Sequence, residues 1–149
     1  MKKPSKAKIA RKLYLKAEKL WKEFCHLRDG EGCMVQKRFP EIPVSHSQIY
    51  QIDHFISRQN KKLFFDVRNG TRVCSSCNQA KHYDNKAIDL AINQIVLERE
   101  GSQAVEEMVN TRGPNLDWKR IYWLEEVAVG LETKMVDLIA ANGIVGAKA

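Results

Sequence analysis

Four cysteines do most to limit what this chain of 149 residues can fold into. Cys74-Ser75-Ser76-Cys77 sets two thiols two residues apart, a spacing whose turn aims both sulfurs at one tetrahedral ion. Cys25 and Cys33 complete an even set. The first residues, Met1-Lys2-Lys3-Pro4-Ser5-Lys6, are basic with no apolar run behind them, so a secretory leader is not expected. In a reducing compartment disulfides are disfavoured, and a structural Zn²⁺ is the better account of the thiols than four unligated buried cysteines. The first pair is irregular. Seven residues separate Cys25 from Cys33, and Gln36 stands where a second C-x2-C would put its cysteine. The order of preference as ligands is Cys74 and Cys77, then Cys33, then Cys25, with His26 and His46 as reserve donors. Zinc at such a site stabilises the fold by about 10 kcal/mol or more, enough to hold residues 28–80, which are loop-rich and poor in apolar side chains.

Charge is the second constraint. The net charge is +7, and it is unevenly spread: residues 1–85 carry 18 basic and 8 acidic side chains, residues 86–149 carry 7 and 10. A field of that shape suits a polyanion bound by the first part, nucleic acid before membrane. A solvated basic helix kept for solubility is the plain alternative. A composition of 44% hydrophobic and 29% charged residues argues against wholesale disorder. No apolar run reaches the roughly 18–20 residues needed to span a bilayer, so no membrane association is expected.

Periodicity predicts helices over 7–27, from Ser75 onward, over 86–99, over 103–109 and from about Leu116 to Ala141. Ser5, Gly30, Gly101 and Asn115 serve as caps and stops, and Gly113-Pro114 as a break. Residues 28–47 read as loop. Gln48–Asp53 and Thr71–Cys74 read as short strands, with the turn pair Asn69-Gly70 before the second. In the last helix Ile121, Leu124, Ala128, Leu131, Met135 and Leu138 follow a 3-4 spacing, the seam of a coiled coil or of a helix packed on its own domain.

Asp53-His54 lies between the cysteine groups, Asn69 five residues before Cys74, and Asn78 directly after Cys77. Neighbours on a strand point to opposite sides, so the carboxylate can bind a divalent cation while the imidazole takes a proton from water. The knuckle brings Asn78, at the start of the next helix, towards Asp53. Such an oxygen pair with open positions suits Mg²⁺ or Mn²⁺, and the chemistry it favours is attack of activated water on a phosphodiester.

The order Asp53-His54, Asn69, Cys74-x2-Cys77-Asn78 resembles the HNH (ββα-metal) nucleases in which Asn replaces the third His. Over a longer stretch, Asp53-His54-Phe55-Ile56-Ser57-Arg58, Leu63-Phe64-Phe65-Asp66-Val67-Arg68-Asn69 and Cys74-Ser75-Ser76-Cys77-Asn78-Gln79 are similar to the NinG-type (Rap) recombination proteins of lambdoid phages. The likeness covers roughly residues 30–140. It implies a structure-selective DNA endonuclease that cuts branched recombination intermediates such as Holliday junctions and D-loops. It further implies His54 as general base, Asp53 and Asn78 as ligands of the catalytic Mg²⁺ or Mn²⁺, and Asn69 as the residue that orients the loop and the His. The chain departs from that family in its irregular first knuckle, in Asp53 where Gly usually precedes the His, and in a lysine-rich helix where longer members carry an N-terminal extension.

The expected fold is therefore α-rich α+β: a single domain over 1–149, with a basic helix over 1–28, a zinc-stapled ββα core over 29–100 and C-terminal helices over 101–149. Arg58, Lys62, Arg68, Arg72 and Lys81 are the candidate phosphate contacts. His82, one turn after Asn78, is a further metal ligand, a phosphate contact or a surface residue. Trp21, Trp118 and Trp123 read as core or interface rather than base-stacking platforms. Two cuts across a four-way junction call for two sites, which points to a homodimer through the last helix. The expected location is the cytoplasm, that of the host cell if the gene belongs to a phage. The competing expectation is a zinc-ribbon nucleic-acid-binding module without catalysis. A phage structural accessory protein would leave Asp53-His54 unexplained.

Overall fold

The computed structural model describes residues 2–111 and 120–143. The expected cap at Asn115, the break at Gly113-Pro114, the helix start at Leu116 and Trp118 lie outside the described residues.

Helix α1 spans Lys6–Asp29. Ser5 caps it by accepting the Lys8 N–H at 3.3 Å, and it stops at Gly30, whose φ of +75° only glycine adopts without strain. Ala10, Ala17, Trp21, Phe24 and Cys25 fall on one stripe and are buried, while lysines and arginines fill the exposed side. That stripe packs on α6 (Ile121–Ala141), which buries Leu124, Ala128 and Leu131. Ile121, Met135 and Leu138 pack at the margin of the same cluster. The 3-4 seam expected to pair two copies is thus used inside one chain, with the Lys16–Glu132 ion pair at 2.8 Å alongside.

Between these helices in sequence lies a strand–strand–helix unit. Strand β1 (Tyr50–His54) pairs antiparallel with β2 (Gly70–Cys74), Asp53 opposite Thr71 and His54 opposite Gly70. Strand β2 runs straight into α3 (Ser75–His82), so the cysteine knuckle forms the strand–helix joint. Two strands alone are marginal in water. Here they are backed by α1 on one side and on the other by a cluster of Val35, Val73, Ile88, Ile92 and Ile95 around the thiols.

Residues 28–47 are not all loop. Met34–Arg38 form a one-turn helix, α2, too short for any periodicity to reveal it. Helix α4 (Lys86–Glu100) is capped by Asn85, and α5 is Ser102–Asn110. Asp84, at φ +60°, turns the chain between α3 and α4. The buried Asp29 carboxylate joins these parts, accepting from Arg28 and from the Arg72 N–H at 2.7 Å, with Arg99 at 3.7 Å. The result is α-rich with a small two-stranded sheet. Among the described residues no helix is long and apolar enough to cross a membrane.

Candidate metal centre and catalytic cleft

Cys33, His46, Cys74 and Cys77 converge, their donor atoms all within 4.8 Å of one another. Cys74 is the N-cap of α3, its Sγ accepting the Cys77 N–H at 3.4 Å. That turn places the two knuckle sulfurs side by side. Cys33 comes from the start of α2, with its Sγ 3.8 Å from that of Cys77. His46 Nδ1 stands 3.4 Å from Cys74 Sγ and 3.3 Å from Cys77 Sγ. Zinc bonds of about 2.3 Å to sulfur and about 2.0 Å to nitrogen in a tetrahedron give edges of about 3.8 Å and about 3.5 Å, so the spacing fits. The close Cys33–Cys77 sulfur pair lowers the Cys33 thiol to about 4 and raises Cys77 well above an ordinary thiol. Three thiols this close share protons rather than ionise together unless a cation joins them. A Cys3His cluster of this kind could hold a metal ion such as zinc.

Cys25 is not part of it, which corrects the expected ligand set. It stands four residues after Trp21 on the buried stripe of α1 and faces β2, its Sγ 4.0 Å from the Val67 carbonyl. Burial pushes its thiol up to about 12, where it behaves as a small apolar group. His46, a reserve donor in the sequence, takes the fourth place. The other reserve, His26, meets Arg72 Nη1 at 3.2 Å instead.

Beside this centre, β1, α1 and α3 enclose a cleft of about 890 Å³ lined by Asp53, His54, Asn78, Lys81, His82 and Arg58, among others. The His54 ring stacks on Trp21 at 4.4 Å between centroids and touches Phe64 at 4.7 Å. Trp21 is itself pinned, its Nε1–H donating to the Asp66 carbonyl at 2.9 Å. His54 Nε2 lies 3.1 Å from the Phe64 carbonyl oxygen. A carbonyl only accepts, so Nε2 carries the proton and Nδ1 keeps its lone pair. Burial lowers the His54 pKa to about 4, despite the Phe64 bond, and Arg58 and Lys81 push the same way. The ring is therefore a neutral imidazole near pH 7.

Asn69 is fully buried and ties down the loop that carries Phe64. Its Oδ1 accepts the Ile56 N–H at 2.6 Å, and its Nδ2 donates to the carbonyls of Ile56 at 3.1 Å and Leu63 at 3.0 Å. Its side chain makes no hydrogen bond to His54; it holds the loop whose Phe64 carbonyl does. Asp53 is buried and accepts from Lys81 Nζ at 2.7 Å through Oδ2. Among the described residues its Oδ1 accepts no hydrogen bond and no buried side-chain polar atom is without a partner, so that oxygen is not wholly sealed from the cleft. Asn78 donates through Nδ2 to Gln51 Oε1 at 2.6 Å, which leaves its own Oδ1 unshared. Asp53 and Asn78 both line the cleft.

The expected phosphate contacts divide. Arg58 and Lys81 line the cleft, with His82 exposed at its edge and Lys22 of α1 joining them. Arg72 lies next to it, its guanidinium stacked over Tyr50 at 4.4 Å and bonded to the Gly32 carbonyl at 3.0 Å. Arg68 and Lys62 do not line the cleft. Arg68 is engaged by Asp66 at 2.8 Å and Glu107 at 3.2 Å, and Lys62 is a solvated loop charge. Comparison with family models, with curated proteins and with solved structures gives no match; the chemistry of the site carries the functional argument.

Proposed function

We propose that this chain is a metal-dependent DNA endonuclease of the HNH kind, stapled by zinc at Cys33, His46, Cys74 and Cys77. The observation that carries the reading is the state of His54. Its Nε2 is committed to the Phe64 carbonyl, so Nδ1 keeps its lone pair unprotonated on a side chain that lines the cleft together with Asp53 and Asn78. The strand–strand–helix order, with the thiol knuckle at the β2–α3 joint, agrees with it.

In the reaction His54 Nδ1 takes a proton from water as its oxygen bonds to phosphorus and the P–O3′ bond breaks. Asp53 and Asn78 would hold Mg²⁺ or Mn²⁺, which when bound supplies charge stabilisation to the departing 3′-oxygen. Asn69 fixes the loop, Phe64 fixes the tautomer, and Trp21 fixes the plane of the ring. Arg58 and Lys22 hold the phosphates on either side. The preference for branched DNA rests on the resemblance to the NinG-type proteins, and cytoplasmic DNA is the substrate we assign. Symmetric junctions need two sites, so a homodimer is part of the proposal. Because the α6 seam is spent on α1, its contact lies elsewhere, and sedimentation of the intact protein tests it.

Lys81, already neutralising Asp53 without a cation, favours a second reading: a zinc module that binds nucleic acid and cuts nothing. Incubation with labelled junction, flap, single-stranded and linear duplex DNA in Mg²⁺, Mn²⁺ or chelator separates the two. The nuclease nicks the branched substrates only with metal. Salt-sensitive binding with intact strands in every buffer supports the binding module.

A further inference from the structure

The Lys81 ammonium sits where a cation would be expected. Its Nζ donates to Asp53 Oδ2 at 2.7 Å and to the His54 carbonyl at 3.0 Å. Both side chains are well shielded, Lys81 14% and Asp53 2% exposed. Lys81 stands three residues after Asn78 on α3, so the two side chains share the helix face that lines the cleft. We infer that Lys81 is an exchangeable counter-ion, holding Asp53 while no divalent cation is present and giving it up to Mg²⁺ or Mn²⁺ for a phosphate in the same cleft. This rests on the nuclease reading of the cleft.

Three features support exchange over a permanent ion pair. A lysine head is a compact charge on a flexible four-carbon stem, able to move several ångströms while its helix stays fixed. A doubly charged ion outbids a single charge for one carboxylate. The cleft offers the released ammonium a place, because it is wide enough for a phosphate and Arg58 and His82 line it with Lys81. The device would keep Asp53 neutralised in the resting protein and favour metal loading when DNA is there to receive the lysine.

The sign of one measurement distinguishes this from a structural role. Even at the dielectric of water, removing a unit charge about 4 Å from a divalent ion strengthens its binding roughly thirtyfold, whereas structural damage weakens it. Mn²⁺ is titrated into zinc-loaded, DNA-free protein by calorimetry, comparing the unaltered chain with Lys81→Met and using Asp53→Asn as the blank for the cleft. Binding tightened about thirtyfold in Lys81→Met supports exchange. Equal or weaker binding overturns it and leaves the nuclease reading standing. If neither the unaltered protein nor Lys81→Met binds Mn²⁺ at the cleft, both fall together. Should Lys81→Met not fold, acetylation of the unaltered protein decides: saturating Mn²⁺ should speed modification of Lys81 several-fold by peptide mass spectrometry, and an unchanged rate overturns the exchange.

Discussion

Gly70 opens β2 directly opposite His54, and it is the position where one added methyl should disturb both the fold and the site. A Cβ there would lie 2.6 Å from Cys25 Sγ, 2.7 Å from Trp21 Cζ2 and 2.9 Å from Ile52 Cγ2. Ordinary contacts of this kind are about 3.5–4.0 Å, so each neighbour must retreat by about 1 Å. One of them is a rigid indole ring stacked on His54. The backbone itself is undemanding, at φ −109°, so the effect is steric alone. Overpacking a filled core costs up to about 3 kcal/mol, and the stiffer unfolded chain returns about 0.5–1 kcal/mol. Gly70→Ala should therefore lose about 2 kcal/mol, and at about 2–4 °C per kcal/mol for a chain of this size its Tm should fall by about 4–8 °C. Thermal and urea unfolding followed by circular dichroism measure it. Cys25→Ala in the same chain removes the nearest atom and should recover part of the loss, a coupling of about 1 kcal/mol in the double-mutant cycle. A Gly70→Ala protein as stable as the parent, or strict additivity with Cys25→Ala, would refute the packing argument.

Two further outcomes follow from the same geometry. His46→Ala should lose stoichiometric zinc on dialysis, whereas Cys25→Ala should keep it, as measured by elemental analysis; the reverse would restore Cys25 to the metal. Asp66 is raised by burial but lowered more by the hydrogen bonds from Arg68, leaving its carboxyl below the ordinary value. A depressed folded pKa adds stability above the unfolded value and loses it as pH falls through the folded one. Asp66→Asn should thus cost about 1 kcal/mol near neutrality, discounted for the part-exposed pair. The gap to the parent should close below about pH 4, as read by urea midpoints across pH.

Much of this architecture can be read from side-chain order. The stripe through Trp21 and Phe24 and the Cys74-x2-Cys77 knuckle each carry a local rule, and each yields its element within a few residues; Asn69-Gly70 is instead the joint between a 3-10 turn over Val67–Asn69 and the extended start of β2. The seam through Leu124 and Leu131 reveals a packed face, but a 3-4 spacing is the same for a neighbour within the chain as for a second copy. The Cys25 position was open to a better reading: it follows Trp21 by four residues and Phe24 by one, so helical phase already turns it to the core. His46 has no such signal, since a loop residue has no period, and only the need for a fourth soft or borderline donor pointed to it. The pairing of Arg68 with Asp66 was nearby in sequence, yet the contribution of Glu107 depends on α5 folding back. The Phe64 carbonyl, which sets the His54 tautomer, is backbone and leaves no mark in the side-chain sequence.

The central claim is that His54 is a base and not a packing residue, and one comparison tests it most directly. The parent and His54→Ala are each bound to a labelled four-way junction and then given Mn²⁺, with binding and strand scission followed in the same samples. Loss of a positioned general base costs about 10²–10⁴-fold in rate. The account predicts a junction affinity within a few-fold of the parent and scission reduced by at least about a hundredfold. Equal scission by the two proteins, or none by the parent, would contradict it.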